Sequence, residues 1–323
     1  DEIGDVAMAL VAMNDEITRY NKQKDELIHN ISHDLKTPIA TIRSYSESIK
    51  DGIYPYETLS LIDFPKTASG GGMEYPTLVT VGVNLFSPIK SHSPETVTVH
   101  EVIHQYFYGL VANNEVFEAW LDEGLTSYYT TKILHHYYGE AKSYFRLFGF
   151  YPISGLLFFS YNEIPLIYTM SSYYYPAGSR RLPMYYEYAR LGAIADTSFM
   201  HINRAVNRVN SYNKPELMLH SLERYIGTEK IDEIMKDYFN TYKYRHPTSQ
   251  NFINKVQKHI DEDMNWFFDN YYRSSKIFDY KIKSVSRIGS SNQYEVIAIR
   301  NGEAVSRNEI AFYTDTDTLY KEW

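Results

Sequence analysis

Apolar and polar positions separate an N-terminal segment from the rest of the chain. In residues 1–53, apolar side chains recur every three or four positions, as they do along one seam of a long helix. Pro38 interrupts this stripe, and Gly52 with Pro55 ends it. A long apolar stripe needs a partner surface, so we expect residues 1–53 to form a coiled-coil-type helix that associates into a homodimer.

After this segment the pattern predicts strands first, then helices, then strands again. The predicted elements in chain order are strands at 59–64 and 77–83, helical stretches at 94–138 and 200–275, and short strands at 280–285, 294–299 and 309–313. Gly227 and Pro247 are expected to break the second helical stretch. The sequence therefore predicts an α+β, mostly helical fold whose last strands begin a truncated β-sandwich.

Composition narrows the chemistry that the chain can support. The 323 residues include no cysteine, so disulfides and thiolate metal sites are excluded, and any metal would need His and carboxylate ligands. The formal net charge of −8 argues against a nucleic-acid partner, which would normally meet a basic surface. No apolar run approaches the roughly 20 residues that a membrane-spanning helix needs, so we expect no transmembrane segment in this chain.

The two ends, Asp1 and Trp323, are expected to be cuts in a longer parent protein. The chain begins without an initiator Met or a signal peptide, and it ends within predicted β-structure. The sequence leaves the compartment open between bacterial cytoplasm and cell envelope. This expectation is compatible with a membrane anchor in another part of the parent protein.

Residues 100–104 read His-Glu-Val-Ile-His within a predicted helix. Positions i and i+4 lie on one helix face, so the imidazoles of His100 and His104 can bind one ion. Glu101 projects beside them and can accept a proton from a water molecule at the metal. Two buried structural histidines are the alternative interpretation of this string.

A third candidate ligand is Glu123, nineteen positions after His104 in the string Trp-Leu-Asp-Glu-Gly. A carboxylate on a second helix would complete a site of two histidines and one glutamate, and it would leave the fourth position of a zinc ion open. Catalysis needs an open position, because zinc lowers the pKa of a bound water toward about 7. This context favours a site for one zinc ion over a structural histidine pair.

These strings resemble peptidase family M1, the gluzincin-type zinc aminopeptidases, and the resemblance covers residues 56–323. It implies a thermolysin-like catalytic fold. Residues 71–75, Gly-Gly-Met-Glu-Tyr, are similar to the G-x-M-E-N motif of the family. The resemblance implies that Glu74 binds the free α-amine of a peptide substrate. It also implies that Gly72 and Met73 belong to the edge along which the substrate backbone lies.

A second string of the family, Y-x-K, is similar to Tyr-Asn-Lys-Pro at residues 212–215. The resemblance implies that Tyr212 stabilises the oxyanion that develops on the substrate carbonyl. Tyr185, Tyr186 and Tyr188 are alternatives for this role. The chain departs from the family at Tyr75, where the motif has Asn, and in lacking the large β-domain that precedes the catalytic domain.

The N-terminal segment carries a different resemblance. Residues 32–38, Ser-His-Asp-Leu-Lys-Thr-Pro, resemble the phosphoacceptor box of sensor histidine kinases, and residues 1–4 resemble the end of a HAMP signalling helix. The resemblance implies that His33 is a phosphoacceptor. The ATP-binding domain of that family is missing, so residues 1–53 are expected to serve as a helical or dimerising element. A natural fusion, an engineered chimera and an error of gene prediction would each explain the join.

We therefore expect a long helix at residues 1–55, a zinc peptidase catalytic domain at 56–276 and a partial β-sandwich at 277–323. The expected function is zinc-dependent removal of N-terminal residues from peptides with a free N-terminus. The alternative is a signalling or oligomerisation module, in which the kinase-like helix is the working part. In that case the peptidase fold would bind peptides without efficient turnover.

Overall fold

The protein is described by a computed structural model. The described residues are 56, 58–65, 72–83, 93–138, 144–147, 151–153, 168–171, 181–290, 293–307, 309–313 and 318–322. The predicted helix of residues 1–53, with its homodimer, therefore lies outside the described residues. Within them the fold is α+β with a helical majority, as predicted.

A small sheet forms the first part of the fold. Strand β1 (Ser60–Pro65) pairs in parallel with the central strand β3 (Leu78–Val83), which confirms the two strands predicted there. The two-residue strand β2 (Gly72–Met73) pairs antiparallel with the other side of β3, with Met73 opposite Thr80. Among the described strands, β2 therefore lies at the edge of its sheet, the position at which a sheet can accept an extended chain.

Helix α1 (Ser93–Ile103) lies between this sheet and the helical core. On one side its Val102 packs with Val79 and Val81 of β3. On the other side its Val99 and Ile103 join the large core cluster of the helices. Burial on both sides leaves the remaining face of α1 for polar side chains, and His100 and His104 occupy it.

The first predicted helical stretch, residues 94–138, begins with α1 but is interrupted after it. Helix α2 (Glu115–Glu118), a first π-helical turn (Trp120–Gly124) and helix α3 (Leu125–Tyr138) follow α1 only after a non-helical segment. In that segment Tyr108 has a φ of 117°, which no right-handed helix accepts. The prediction of one helical stretch over residues 94–138 is therefore wrong between α1 and α2.

The second helical stretch is confirmed. It consists of α5 (Arg204–Arg208), a second π-helical turn (Val209–Asn213), α6 (Lys214–Ile226), α7 (Thr228–Tyr242), α8 (Ser249–His259) and α9 (Asn265–Tyr271), and a shorter helix, α4 (Leu182–Tyr188), precedes it. Gly227, with a φ of 87°, separates α6 from α7, and Pro247 lies between α7 and α8. Both breaks lie where the sequence predicted them.

Large side chains fill the space between these helices. Trp120, Tyr128, Tyr238, Phe252 and Phe267 are each no more than 1% exposed. The ring of Trp120 meets that of Phe252 edge to face, with 5.4 Å between their centroids. The two π-helical turns are thus attached to a dense core, which fixes the side chains that they carry.

The other strands form small separate sheets. They are β4 (Tyr144–Leu147), β5 (Tyr151–Ile153) and β6 (Tyr168–Ser171) in one sheet, β7 (Tyr280–Arg287) with β8 (Tyr294–Arg300), and β9 (Glu309–Tyr313) with β10 (Thr318–Glu322). The predicted late strands are present, but the partial β-sandwich stays a prediction. None of the helices in the described part of the chain has the length and apolar character to cross a bilayer.

Candidate metal centre

Three ligand atoms converge beside α1. The Nε2 atoms of His100 and His104 lie 3.2 Å apart, and each lies 3.2 Å from Oε2 of Glu123. In the described residues this is the one group of His and carboxylate side chains that could together hold a metal ion. The structure therefore brings together the three residues that the spacing predicted, in a ligand triangle of nearly equal sides.

The dimensions of the ligand triangle fit zinc. Zinc binds imidazole nitrogen and carboxylate oxygen at about 2.0–2.1 Å, so two ligands of a tetrahedral ion lie about 3.3 Å apart. The three sides of 3.2 Å match this separation. Two imidazole nitrogens and one carboxylate oxygen also form a donor set that zinc prefers, and a tetrahedral ion would have its fourth position free.

The state of the ligands also suits a cation. Burial lowers the pKa of His100 to about 4, so this imidazole is neutral at pH 7 and can offer a lone pair. Burial alone would raise the pKa of Glu123, but hydrogen bonds with His100 and His104 outweigh it and hold this pKa far below the usual range. Glu123 is therefore a carboxylate at neutral pH, as a ligand must be.

A buried carboxylate, Asp122, supports His104 from behind. Its Oδ1 lies 2.5 Å from Nδ1 of His104, and both side chains are 1% exposed. Burial raises the pKa of Asp122 to about 7. Burial would lower the pKa of His104, but the charge and hydrogen bond of Asp122 outweigh this effect and raise it. The sequence analysis missed Asp122, although it directly precedes Glu123.

Two threonines of α3 complete the surroundings of the imidazoles. The hydroxyl of Thr126 lies 3.2 Å from Nδ1 of His104, and that of Thr130 lies 3.3 Å from Nδ1 of His100. Both threonines are buried, and positions i and i+4 place them on one face of α3. That spacing is the signal that could have identified them in the sequence.

Glu123 and Tyr212 both lie on π-helical turns. An extra residue in a helical turn re-aims the side chains next to it, and such turns are frequent at functional sites. Gly124 packs closely on the second turn and on the start of α6: a Cβ atom there would come 3.4 Å from the Ser211 carbonyl oxygen and 2.4 Å from Cβ of Pro215. Gly124 is thus required for the close approach that brings Tyr212 to Glu123.

Glu101 lies beside the ligand triangle and is 6% exposed. Burial raises the pKa of its carboxyl to about 8. The charges of Glu74, Glu123 and Asp122 also raise this pKa, whereas the charge of His104 lowers it. A cation in the triangle would favour the ionised form. The backbone of Gly72 passes so close that a Cβ atom there would lie 2.3 Å from Oε1 of Glu101. Strand β2 therefore packs directly against the candidate base.

Glu74 follows strand β2 at the edge of the sheet. Its neighbours Met73 and Tyr75 are 43% and 51% exposed, whereas Glu74 is half-buried. The amide of Gln105 donates hydrogen bonds to the carbonyls of Glu74 and Tyr75, at 3.4 and 3.2 Å. Gln105 accepts a third from the Thr77 N–H at 2.8 Å. This buried side chain, which the sequence analysis missed, ties the edge to the end of α1.

Tyr212 lies next to the ligand triangle. Its hydroxyl donates a hydrogen bond to Oε1 of Glu123, and its ring stacks on that of His100 with 6.1 Å between centroids. Burial and the charge of Glu123 raise the pKa of Tyr212 well above its usual value. The phenol therefore keeps its proton, which it donates to Glu123.

The three alternative tyrosines are placed differently. Tyr185 is buried in a separate apolar cluster with Ile277, and its hydroxyl accepts a hydrogen bond from the Phe278 N–H at 3.1 Å. Tyr186 is 61% exposed. Tyr188 has a hydrogen bond with the neighbouring Glu187, which raises the pKa of Tyr188. The structure thus brings Tyr212, and not Tyr185, to the ligand triangle. His33, the candidate phosphoacceptor, lies outside the described residues.

Comparison with known families agrees with this geometry. The family model for the peptidase family M1 domain matches residues 33–154 and 197–271, which together are more than half of the chain. Both matched stretches include site residues, His100 to Glu123 in the first and Tyr212 in the second. The chain belongs to peptidase family M1, a family of zinc metallopeptidases, which confirms the resemblance found in the sequence.

Individual relatives are distant and longer. Leucine aminopeptidase 2-1 of Meyerozyma guilliermondii is 25% identical over 201 residues, which are 62% of this chain and 29% of the relative. The solved aminopeptidase A of Legionella pneumophila, in complex with aspartic acid, has 14% identity and a TM-score of 0.49, covering 81% of this chain and 29% of its own. The chain thus spans less than a third of each of these two proteins.

A separate match supports the second resemblance in part. The sensor histidine kinase CssS of Bacillus subtilis is 46% identical over 55 residues, which are 17% of this chain and 12% of the kinase. This length is close to that of the N-terminal segment predicted to be kinase-like. The role of His33 stays a prediction.

Proposed function

We propose that this chain is a zinc metallo-aminopeptidase that removes N-terminal residues from peptides, with one zinc ion per chain. The ligand triangle of 3.2 Å sides is the observation that carries the proposal. His100, His104 and Glu123 would hold the ion. When bound, the ion supplies Lewis acidity, which makes a water molecule more acidic and polarises the substrate carbonyl.

Glu101 is the proposed general base. Its carboxylate would accept a proton from the attacking water and then donate it to the amine that leaves when the C–N bond breaks, so that it returns to its first state. Its burial next to Gly72 excludes bulk water and fixes the carboxylate in place. A binding module would have no need of such a base, which favours turnover over mere peptide binding.

Tyr212 is the proposed donor to the developing oxyanion. Its hydroxyl is held at the edge of the ligand triangle by Glu123 Oε1 and keeps its proton. The phenol has one hydrogen, so it would turn from Glu123 Oε1 to the oxyanion when negative charge develops there. Such donors contribute about 3–4 kcal/mol.

Glu74 is the proposed recognition site for the substrate α-amine. Gln105 fixes the backbone on which Glu74 stands, and the edge strand β2 can accept an extended peptide. A half-buried carboxylate favours a cationic amine over an internal amide, which explains selectivity for the N-terminus. Gly72 and Met73 would line the path of the substrate backbone.

The test is zinc content and hydrolysis of aminoacyl chromogenic substrates by the wild type and Glu101→Gln. We expect one zinc per chain in both proteins and a loss of activity of about 10²–10⁴-fold in the variant. Glu95→Gln, in the first turn of the same helix, is the matched control and is expected to keep full activity. Equal turnover by wild type and Glu101→Gln would contradict the role of the base.

We further propose that residues 1–53 associate into a homodimer. The apolar stripe and the similarity to a sensor kinase over 55 residues support this. Light scattering on the full chain should give the mass of a dimer for the wild type and of a monomer for Leu10→Lys with Ile17→Lys. A monomeric wild type would contradict the proposal and leave the zinc site unaffected.

A further inference from the structure

The π-helical turn that carries Tyr212 is closed by the residue that follows it, Lys214. The backbone N–H of Lys214 donates to the carbonyl of Val209, five positions earlier, and this bond defines the wide turn. Such turns are rare and mostly single, which indicates that contacts from outside the turn are needed to hold one in place.

The side chain of Lys214 supplies such a contact. Its ammonium donates to the carbonyl of Ala189 at 2.7 Å and to that of Gly192. Both carbonyls belong to residues 189–192, which follow α4 and which we name the anchor segment. Lys214 is 5% exposed, and Ala189 is fully buried in an apolar cluster. The turn and the anchor segment are therefore joined inside the protein, where water does not compete for the two hydrogen bonds.

Two further contacts start beside Lys214. The side-chain amide of Asn213, directly after Tyr212, donates to the carbonyl of Arg181 at 3.3 Å. Nε of Arg181 donates to the fully buried carboxylate of Glu216 at 2.5 Å. The contact of Lys214 is thus the middle one of three that hold the residues after the tyrosine against the region of α4.

An amine at this buried position is costly unless its hydrogen bonds are needed. Burial lowers the pKa of Lys214 to about 8, and the charge of Asp196 opposes the fall, so the side chain is still an ammonium at neutral pH. An apolar side chain of similar length would fill the space without this cost of desolvation. What the amine adds is direction, because its two hydrogen bonds fix the turn relative to the anchor segment.

We propose that Lys214 is a positioning residue for Tyr212. Its ammonium ties the π-helical turn to the anchor segment, and this holds the phenol at the ligand triangle, beside Glu123 and stacked on His100. The inference rests on the proposed function for its consequence, which is kcat. A misplacement of about 1 Å in a group that acts on the transition state can cost a large factor in rate.

Four variants of the full chain test this. Lys214→Met keeps the length of the side chain and removes its donors, and Tyr212→Phe removes the phenol hydroxyl. Lys214→Gln keeps two N–H donors on a side chain one atom shorter, and it carries the same test if Lys214→Met does not fold. Lys255→Met is the matched control, because Lys255 is also largely buried, at 11% exposure, and joins α8 to Asp237 and Thr241 of α7.

The first readout is a double-mutant cycle on kcat and KM. We expect Tyr212→Phe to lower kcat about 10²- to 10³-fold. Lys214→Met should lower it about 10- to 100-fold and Lys214→Gln about 3- to 10-fold, with KM within about threefold of the wild type. In the Tyr212→Phe background, Lys214→Met should cost no more than about threefold, since both changes act through one donor. Lys255→Met should keep the wild-type kcat.

The second readout needs no turnover. 3-Fluorotyrosine is placed at position 212 alone, and its ¹⁹F NMR resonance in the metal-free full chain reports the surroundings of the ring. We expect Lys214→Met to shift this resonance or to add a second one, and Lys255→Met to leave it unchanged.

Additive losses of kcat in the double variant, or an unchanged ¹⁹F resonance in Lys214→Met, would overturn the inference. An inactive wild type, or wild-type kcat in Tyr212→Phe, would instead overturn the proposed function. The ¹⁹F resonance would then still decide whether Lys214 positions Tyr212.

Discussion

The candidate site has two sides that are built differently. On the helical side, Asp122 and His104 are each 1% exposed, and both histidines of the ligand triangle have buried partners behind them. On the strand side, Glu74 stands at the end of a two-residue edge strand and depends on one buried amide, Gln105. The difference suggests that bond-breaking chemistry is placed on the rigid part and substrate recognition on the adaptable part.

The largest expected effect compares the stability of the two sides. Trp120→Ala should lower the free energy of unfolding by about 3–5 kcal/mol, because the ring is 1% exposed, packs on Phe252 and donates to Ser249 at 2.7 Å. Met73→Ala, at a side chain 43% exposed, should change it by less than about 0.5 kcal/mol. Urea unfolding in the presence of a chelator measures both, and equal losses would remove the distinction between the sides.

Substrate selection should depend on the strand side. Glu74→Gln should lower kcat/KM for peptides with a free N-terminus about 30- to 150-fold, because a charge-assisted hydrogen bond to the amine is worth about 2–3 kcal/mol. The zinc dissociation constant should not change. N-acetylated peptides are the control, since they have no cationic amine and should react equally slowly with both proteins. An unchanged preference for free N-termini would show that Glu74 does not recognise the amine.

The contact between the two sides is tested at Gly72. A Cβ atom at this position would lie 2.3 Å from Oε1 of Glu101, so Gly72→Ala must displace the carboxylate or the edge strand. We expect kcat to fall about tenfold, since a small misplacement of a catalytic group is costly. Zinc content should stay at the wild-type value. Glu95→Gln, the control variant in the first turn of α1, should leave kcat nearly unchanged; a similar loss in both variants would argue against a specific contact.

The smallest expected effect concerns the contribution of the Glu223 charge to stability, on the helical side and away from the ligand triangle. Burial would raise the pKa of Glu223, but the nearby His220 and the close contacts of Lys132 and Tyr128 outweigh it and lower this pKa to about 2. Its unfolded value is near 4.5, so the carboxylate stabilises the fold above pH 4.5, and this contribution is lost as the pH falls toward 2.

Glu223→Gln should therefore be less stable than the wild type at pH 6 by about 1 kcal/mol, after allowance for solvent screening of a partly exposed group. The difference should shrink at pH 3. Urea unfolding at the two pH values measures it, and titrating groups common to both proteins cancel in the comparison. A constant difference would mean that Glu223 acts through packing and not through its charge.

The sequence predicted elements and ligands whose signals are local. His100 and His104 are spaced for one helix face, and the alternation at residues 59–64 and 77–83 marked the two paired strands. The burial of α1 on two sides also follows from the apolar residues that lie beside the two histidines in the sequence. These features depend on periodicity within a single element.

Features that depend on contacts between distant elements were not predictable. The hydroxyl of Thr130 meets His100 across 30 positions, and Gln105 meets Glu74 across 31. The π-helical turns add one residue to a helical period, which a regular pattern does not reveal. The segment around Tyr108 interrupts a stretch whose spacing looked helical, and its backbone pairs instead with a distant part of the chain, where the Ala112 N–H donates to the Arg245 carbonyl at 3.2 Å.

The central claim is that the helical side of the site binds the zinc ion without help from the strand side. The number of zinc ions per intact chain, measured by native mass spectrometry, tests this claim most directly. We predict one zinc ion per chain for the wild type and for Glu74→Gln, and none for His100→Ala, which removes one corner of the ligand triangle. A wild type without zinc, or His100→Ala with its zinc retained, would contradict the account.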